Sequence, residues 1–241
     1  MLIKKILFTL VVMCSSLSVE AKTPNIILIG LPGTGKGSIS QHLVSEHGYY
    51  QICLGDLFRE EIRKNTEFGI QIKNIVAKAD YVDDYTSFNY LSKYIDDAIS
   101  QDKPILFDGY PRSKKAQELL TNYLSVEKLV DDTIILSLFA PIEVLDYRVL
   151  GRLICSECNH VYHKKDFDKH GGECGKCNKK LTKRTEDTRK ILHKRIKHYN
   201  ENILPIIEAL ADNMKLITLD TSESIYSVLS EVESKTQMKV R

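Results

Sequence analysis

Residues 25–38 read NIILIGLPGTGKGS, an apolar run followed by a glycine-rich turn with one lysine. A helical pattern follows, so this order predicts a strand, a phosphate-binding loop and a helix. Gly30, Gly33 and Gly35 allow turn conformations in which successive backbone N–H groups converge on a phosphate at the positive end of the helix. Lys36 would add a positive charge at the terminal phosphates. The alternative is an ordinary glycine turn between a strand and a helix.

The spacing of this loop fits G-x-x-x-x-G-K, but the loop departs from the usual motif after the lysine. Gly37 stands where a serine or threonine is expected, and the hydroxyl comes one position later, at Ser38. The glycine directly after the lysine therefore distinguishes this loop from the usual form of the motif.

The size of the chain allows one sizeable core with an inserted subdomain, because it has 241 residues of which 43% are hydrophobic. The net charge of +2 is too small to indicate a nucleic-acid or membrane surface. Aromatic residues are not interleaved with a basic stripe, which also argues against a nucleic-acid partner.

The N-terminus has the order of a secretory signal peptide, which we predict over residues 1–21. Lys4 and Lys5 precede an apolar run at residues 6–12, and Val19-Glu20-Ala21 offers a small-residue cleavage site. Cleavage there would leave a mature chain without stable membrane association, in the periplasm or secreted. The alternatives are an uncleaved anchor, an ordinary buried strand, or a cytoplasmic protein whose segment is not processed.

Apolar runs alternate with helical patterns along the rest of the chain, which predicts a parallel α/β sheet. With the strand before the loop, we expect five strands, the others at residues 49–53, 104–107, 133–138 and 216–219. Asp108 follows the third of these runs, at the sheet edge where ligands bind.

Helical spacing of apolar residues predicts the connecting helices. We expect the helix after the loop to stop at Gly48, one to open at Gly55-Asp56, one to run from about Phe68 to Ala79, and one to be capped by Asp84. Further helical patterns occupy residues 141–150, about 186–211, and 222–235.

The polar stretch at residues 153–183 interrupts the alternation of strands and helices, and it contains no helical or strand pattern of useful length. Two C-x-x-C pairs, fifteen residues apart, lie in it: Cys155 and Cys158, then Cys174 and Cys177. Four thiolates from two tight turns favour a structural Zn²⁺ site with no open position. Two disulfides are the alternative, and export would favour them.

Three motifs in chain order resemble those of adenylate kinase: the loop at residues 30–38, ICLGDLFR at residues 52–59 and DGYPR at residues 108–112. The resemblance extends from about residue 25 to the last helix. It implies a P-loop fold and reversible, Mg²⁺-dependent transfer of the γ-phosphoryl group of ATP to AMP, giving two ADP.

Segments around the cysteines resemble the long, zinc-bearing lid of the same family. RVLGR at residues 148–152 precedes the cysteines, Tyr162-His163 lies among them, and RTED at residues 184–187 with Arg195 follows. The resemblance implies a monomer with a core at residues 24–53, 83–151 and 186–241, a helical nucleoside monophosphate (NMP)-binding segment at 54–82 and a lid at 152–185.

Roles of single residues follow from the resemblance alone. ATP would be bound by Gly30, Gly33, Thr34, Gly35, Lys36, Gly37, Ser38, Arg148 and Arg152. AMP would be bound by Leu54, Arg59, Val82, Gly109, Arg112, Gln117, Arg184 and Arg195. The catalytic set would be Lys36, Asp108, Arg112, Arg152, Arg184 and Arg195, with Asp108 orienting waters on Mg²⁺. Glu186 and Asp187 would pair with arginines when the lid closes.

Four positions depart from the family pattern. Leu54 replaces a threonine, Ala79 a glycine and Leu153 a frequent second arginine, and Gln117 lies five residues after Arg112 instead of four. Leucine cannot hydrogen-bond a nucleobase, so selectivity for AMP could be relaxed. The alternatives are therefore another or a relaxed NMP kinase, a GTP-using relative, and a non-catalytic nucleotide-binding zinc-knuckle protein.

Overall fold

A computed structural model describes residues 22–78, 82–158, 160–167 and 171–236 of the chain. The predicted signal peptide and Ala79 lie outside these ranges. Within them, no helix has both the length and the apolar character that crossing a membrane requires.

Five parallel strands form the central sheet, as predicted: β1 Asn25–Gly30, β2 Tyr50–Ile52, β3 Ile105–Asp108, β4 Thr133–Phe139 and β8 Lys215–Asp220. Their order is β2-β3-β1-β4-β8, so β1 is the central strand and pairs with both β3 and β4. The phosphate loop therefore begins at the carboxyl end of the most protected strand, where open parallel sheets bind ligands.

Both faces of the sheet are covered by helices, which explains the continuous apolar runs. On one face, Ile27 and Ile29 pack with α4 (Asp84–Ser100), α5 (Lys114–Val126) and α8 (Leu204–Ala211). On the other face, Ile26 and Leu28 pack with α1 (Lys36–His47) and α9 (Ile225–Thr236). Alternate residues of one strand thus enter two separate cores.

Three helix boundaries follow from their caps. Helix α1 ends, as predicted, at Gly48, whose φ of 70° is left-handed. The predicted cap of α4 is wrong by one residue, because Asp83 has the non-helical conformation and accepts a hydrogen bond from the Thr86 N–H. Helix α5 was not predicted, although Ser113 caps it.

The helix predicted over residues 186–211 begins later and is not uniform. It consists of α7 (Arg189–His198), a π-helical turn (Tyr199–Ile203) and α8. Pro205 lies in the first turn of α8 and has no backbone N–H, so an ordinary i to i−4 ladder cannot continue through this position. Helix α6 spans Ile142–Leu150, close to the prediction, whereas α9 begins three residues after the predicted start.

Two helices extend from the core after β2. They are α2 (Leu54–Lys64) and α3 (Glu67–Ala77), and α2 begins at Leu54 rather than at Gly55. Their backbones approach closely at Gly69, where an added Cβ would lie 2.2 Å from the carbonyl oxygen of Glu61. Only glycine allows this crossing without a shift of the chain.

The cysteine-rich insertion contains a small antiparallel sheet, contrary to the expectation of no useful strand pattern. Its strands are β5 (Arg152–Cys155), β6 (Val161–His163) and β7 (Leu181–Thr182), in the order β6-β5-β7. Strands of two to four residues are too short to show a periodic pattern.

Candidate active site

The phosphate loop is held open by its own geometry. Gly33 and Gly35 have φ values of 91° and 85°, which glycine adopts without a steric cost. The Thr34 hydroxyl donates to the Leu31 carbonyl at 2.8 Å, and a Cβ on Gly30 would lie 2.7 Å from that hydroxyl oxygen. These contacts direct the backbone N–H groups at the start of α1 toward one place.

Lys36 is the first residue of α1, and its side chain turns back over the loop. Its Nζ donates to the carbonyl oxygens of Gly30 at 2.6 Å and Leu31 at 3.0 Å. Burial lowers the pKa of Lys36 from 10.5 to about 8; Asp108 opposes this effect, and Arg112 adds to it. An anion bound here would stabilise the charged form.

Asp108 is buried at the carboxyl end of β3, beside the loop. Its Oδ2 accepts hydrogen bonds from the Ser40 hydroxyl at 2.9 Å and from Gln51 Nε2 at 2.8 Å. The sequence did not identify Ser40 and Gln51 as partners of Asp108, because they are 68 and 57 residues away from it along the chain. The two bonds fix the carboxylate at the edge of the cavity.

Arg112 is positioned by the turn after β3. Its Nε donates to the Gly109 carbonyl at 2.6 Å, and Gly109 has a φ of 69°. A Cβ on Gly109 would lie 3.1 Å from the Arg112 guanidinium, so this glycine leaves room for the side chain.

One cavity of about 610 Å³ joins the phosphate loop to most of the other candidate residues. It lies between the sheet edge, α2 and the small sheet, which brings together residues from across the chain. The candidates that line it are Gly30, Gly33, Thr34, Gly35, Lys36, Gly37, Ser38, Arg59, Asp108, Gly109, Arg112, Arg148, Arg152, Arg184 and Arg195.

The arginines in this cavity repel one another. Burial, followed by the charges of Arg152 and Arg59, lowers the pKa of Arg184 below its usual value, while Glu186 partly offsets these effects. Arg59 also forms an ion pair with Asp56 on α2. Such an excess of positive charge around one cavity is suited to a polyanionic ligand.

Arg152 and Asp187 form a buried, two-bond ion pair. Arg152 Nε donates to Asp187 Oδ2 at 2.8 Å, and its Nη2 bonds to Oδ1. Asp187 is fully buried and the Arg152 side chain is 16% exposed. The pair joins the start of β5 to the chain that leaves the insertion, so it closes the base of the small sheet.

Arg148 lies on the other side of the loop. Its Nη1 donates to the Gly33 carbonyl at 3.3 Å, and its Nη2 lies 3.4 Å from the carbonyl oxygens of Ser222 and Glu223. The residue thus connects α6, the phosphate loop and the segment before α9.

Three candidates do not line the cavity. Leu54 and Val82 pack with Phe58 in a hydrophobic cluster, and Gln117 Nε2 donates to the Thr121 hydroxyl at 3.0 Å. Other residues that line it had no assigned role, among them Cys53, His198, Tyr199 and Glu223. His198 and Tyr199 follow Arg195 three and four residues later, and this helical spacing in the sequence could have indicated that they lie on the same face.

The four cysteines of the insertion converge on one point. Their sulfur atoms all lie within 4.8 Å of one another, with Cys155 and Cys177 at 3.3 Å and Cys158 and Cys174 at 3.6 Å. These separations are too long for disulfides, whose S–S bond is about 2.05 Å. Around a tetrahedral ion with bonds of about 2.3 Å they would be about 3.8 Å. The set could therefore hold a metal ion after a small expansion.

Similar proteins are found in bacteria and archaea. The chain is 31% identical to the adenylate kinase of Mycoplasma mobile over 216 residues, which cover 88% of the chain and 97% of that protein. It is 32% identical to the adenylate kinase of Methanosarcina acetivorans, over 87% of the chain and 97% of that protein. For the adenylate kinase of Borreliella burgdorferi the identity is 31%, with 86% and 95% covered.

A central parallel sheet with a phosphate loop and a ring of arginines defines a P-loop nucleotide phosphotransferase. The family model for adenylate kinase matches residues 28–215. The chain belongs to the adenylate kinase family.

The buried pair predicts a large effect of Asp187→Asn on stability. Removing one charge leaves Arg152 buried without its ionic partner, and we expect the free energy of unfolding to fall by about 3 kcal/mol. Urea unfolding followed by circular dichroism measures this. The matched control is Asp132→Asn, which removes an exposed ion pair with Lys22 and should cost less than about 1 kcal/mol. Equal, small losses in both variants would contradict the role of the buried pair.

Proposed function

We propose that this protein catalyses the reversible, Mg²⁺-dependent transfer of the γ-phosphoryl group of ATP to AMP. The observation that carries the proposal is the single cavity in which Lys36, Asp108 and the arginines surround the phosphate loop. Transfer between two phosphates depends on positioning and charge neutralisation, because the acceptor oxygen is already anionic.

In this proposal the donor lies on the phosphate loop. Lys36 and the N–H groups at the start of α1 bind the ATP phosphates, and Arg148 lies where the nucleoside leaves the loop. Arg59 and Arg112 bind the phosphate of AMP, and Arg152, Arg184 and Arg195 surround the group in transfer.

The Asp108 carboxylate is placed where it could hold Mg²⁺ through water. Among the described residues, both hydrogen bonds to this carboxylate end at Oδ2, which leaves Oδ1 for water held by the ion. When bound, Mg²⁺ would neutralise part of the charge of the phosphates. Asp108 orients it, and the Ser40 and Gln51 bonds hold Asp108.

We propose that residues 54–82 and 152–185 are the two pieces that close over the nucleotides. Support comes from a second cavity of about 250 Å³, across which Arg59 and Arg63 of α2 face Ser156 and Glu157 of the insertion. Closure would exclude water, which otherwise accepts the phosphoryl group. The family resemblance further suggests a monomer, and export remains a prediction from residues 1–21.

A relaxed NMP kinase is the second candidate, and one observation favours it. Leu54, Val82 and Gln117, expected beside the base of AMP, pack in a hydrophobic cluster or bond to Thr121 instead of lining the cavity. The phosphate contacts do not depend on these three residues. The choice of acceptor base is thus open to experiment.

A coupled assay of ADP formation with ATP, Mg²⁺ and each of AMP, GMP, CMP and UMP tests both candidates. We expect Arg112→Ala to lower turnover by about 10³-fold, since it removes a charge that contacts the acceptor phosphate. Arg189→Ala is the control, because that exposed arginine pairs with Asp146 outside the cavity. Turnover with AMP alone supports an adenylate kinase and turnover with several acceptors a relaxed enzyme. Near-normal activity of Arg112→Ala would contradict its role.

The lowered pKa of Lys36 predicts proton uptake when ATP binds. In the free protein about half of Lys36 is neutral at pH 8, and the phosphates of ATP restore the charged form. Binding at pH 8 should therefore take up about half a proton, and affinity should fall as the pH rises above 8. Calorimetry in two buffers of different ionisation enthalpy measures the uptake. Lys36→Arg is the control, because arginine stays charged; equal proton uptake in both would count against this assignment.

We propose that the four cysteines hold one structural Zn²⁺. The N–H groups of Glu157 and Lys176 lie 3.4 Å from the sulfur atoms of Cys155 and Cys174, an arrangement that stabilises thiolates. Four protein ligands leave no open position, so the ion would fold the small sheet and take no part in the reaction.

We expect the Cys174→Ser variant to contain one equivalent of zinc fewer than the unaltered protein. Its insertion should also unfold at a lower temperature. Elemental analysis of freshly purified, reduced protein gives the zinc content, and limited proteolysis reports on the insertion. Cys53→Ala is the control, because Cys53 lies apart from the cluster and should retain the zinc. An unaltered protein without stoichiometric zinc would overturn the proposal.

A further inference from the structure

Helices α1 and α9 bring together two histidines and one glutamate that line no part of the cavity. His42 and His47 lie on α1, and Glu233 lies on α9. Glu233 Oε1 is 2.7 Å from His42 Nε2 and 3.1 Å from His47 Nε2. One ligand atom from each residue lies within 4.8 Å of both others. The phosphoryl-transfer chemistry uses none of the three.

The distances suit a common metal ion. Bonds from Zn²⁺ to imidazole nitrogen or carboxylate oxygen are about 2.0–2.2 Å, so two ligand atoms at octahedral or tetrahedral angles are about 2.8–3.6 Å apart. The separation of 3.1 Å from His47 lies within this range, and the separation of 2.7 Å from His42 needs only a slight lengthening to reach it.

The orientation of the rings also favours a shared ligand. The two imidazoles meet edge to face, with centroids 5.6 Å apart and planes at 67°, so they do not stack. Leu43 and Val232, both fully buried, pack in the same core cluster and hold the two helices together. The packing of the fold thus holds together the two helices that carry the ligand atoms.

Burial is graded across the cluster, which leaves a way in for an ion. The His47 side chain is only 3% exposed, whereas those of His42 and Glu233 are 23% and 25% exposed. An ion could approach along the half-exposed pair and complete its coordination with water.

We propose that His42, His47 and Glu233 bind one divalent transition-metal ion of the Zn²⁺ type. Two imidazoles and one carboxylate suit Zn²⁺, Ni²⁺ and Co²⁺, whereas Mg²⁺ prefers a shell of oxygen atoms. The simpler possibility is a metal-free cluster in which both imidazoles donate N–H bonds to the carboxylate. Experiment separates the two, because only the first adds a metal equivalent.

A bound ion would connect distant parts of the chain. Glu233 is 191 and 186 residues from the two histidines, so the site joins the helix that follows the phosphate loop to the last described helix. Because an ion that binds only the folded chain stabilises it, Zn²⁺ should raise the melting temperature. Turnover should not change, since the site lies outside the cavity.

The test is a calorimetric titration of the untagged full chain with Zn²⁺, with millimolar Mg²⁺ present and the thiolate cluster already saturated. We expect one further equivalent to bind. Glu233→Gln and His42→Gln should weaken that binding at least about tenfold, a loss that even an outer-shell partner of a ligand can cause. Glu231→Gln and His193→Gln are the matched controls, because they change the same residue types outside the cluster.

The absence of a further equivalent, or equal binding in all four variants, would overturn the proposal. A second measurement needs no variant and so does not depend on their folding. Addition of Co²⁺ to the unaltered protein, with the thiolate cluster already occupied by zinc, should shift or broaden the ring proton resonances of His42 and His47 at one equivalent, and unchanged resonances of these two histidines would equally overturn the site.

Discussion

Desolvated positive charge at the carboxyl edge of the parallel sheet is the constraint on which the rest of the structure depends. Among the described residues, Lys36 Nζ donates to the backbone carbonyls of Gly30 and Leu31, and burial works against its charge. Burial, together with the charges of Arg152 and Arg59, likewise works against the charged form of Arg184. The fold brings these groups together from separate parts of the chain, since Lys36 begins α1 and Arg184 follows β7. A polyphosphate offsets their positive charge at once, which couples binding to the order of the whole site.

The Arg152–Asp187 pair shows how the insertion takes part in this arrangement. Burying two charges is costly unless their geometry is good, and here two bonds join one guanidinium to one carboxylate. The pair fixes both ends of the small sheet where it leaves the core. Arg152 and Arg184 therefore reach the cavity from a framework that the core itself orients.

Local patterns predicted the parts of the fold that local forces determine. The strand, loop and helix at residues 25–38 are contiguous, so composition and spacing were sufficient. Motif order brought in Arg112 and Asp108, but Ser40 and Gln51 reach Asp108 across 68 and 57 residues, and nothing local marks them. Neighbouring aspartates obscured the cap of α4, because Asp83 and Asp84 are chemically equivalent in a sequence. The strands of the insertion were missed because two to four residues are too few to show a periodic pattern.

The π-helical turn at Tyr199–Ile203 allows one long helical segment to face two different surroundings. Successive residues of an α-helix are about 100° apart around its axis, and a π turn adds one residue to the circuit. Before the turn, Arg195 and His198 face the polar cavity; after it, Ile206, Ile207 and Leu210 face the apolar core. The extra residue shifts the helical register by one position, so the charged segment and the apolar segment can each face the surroundings that suit their side chains.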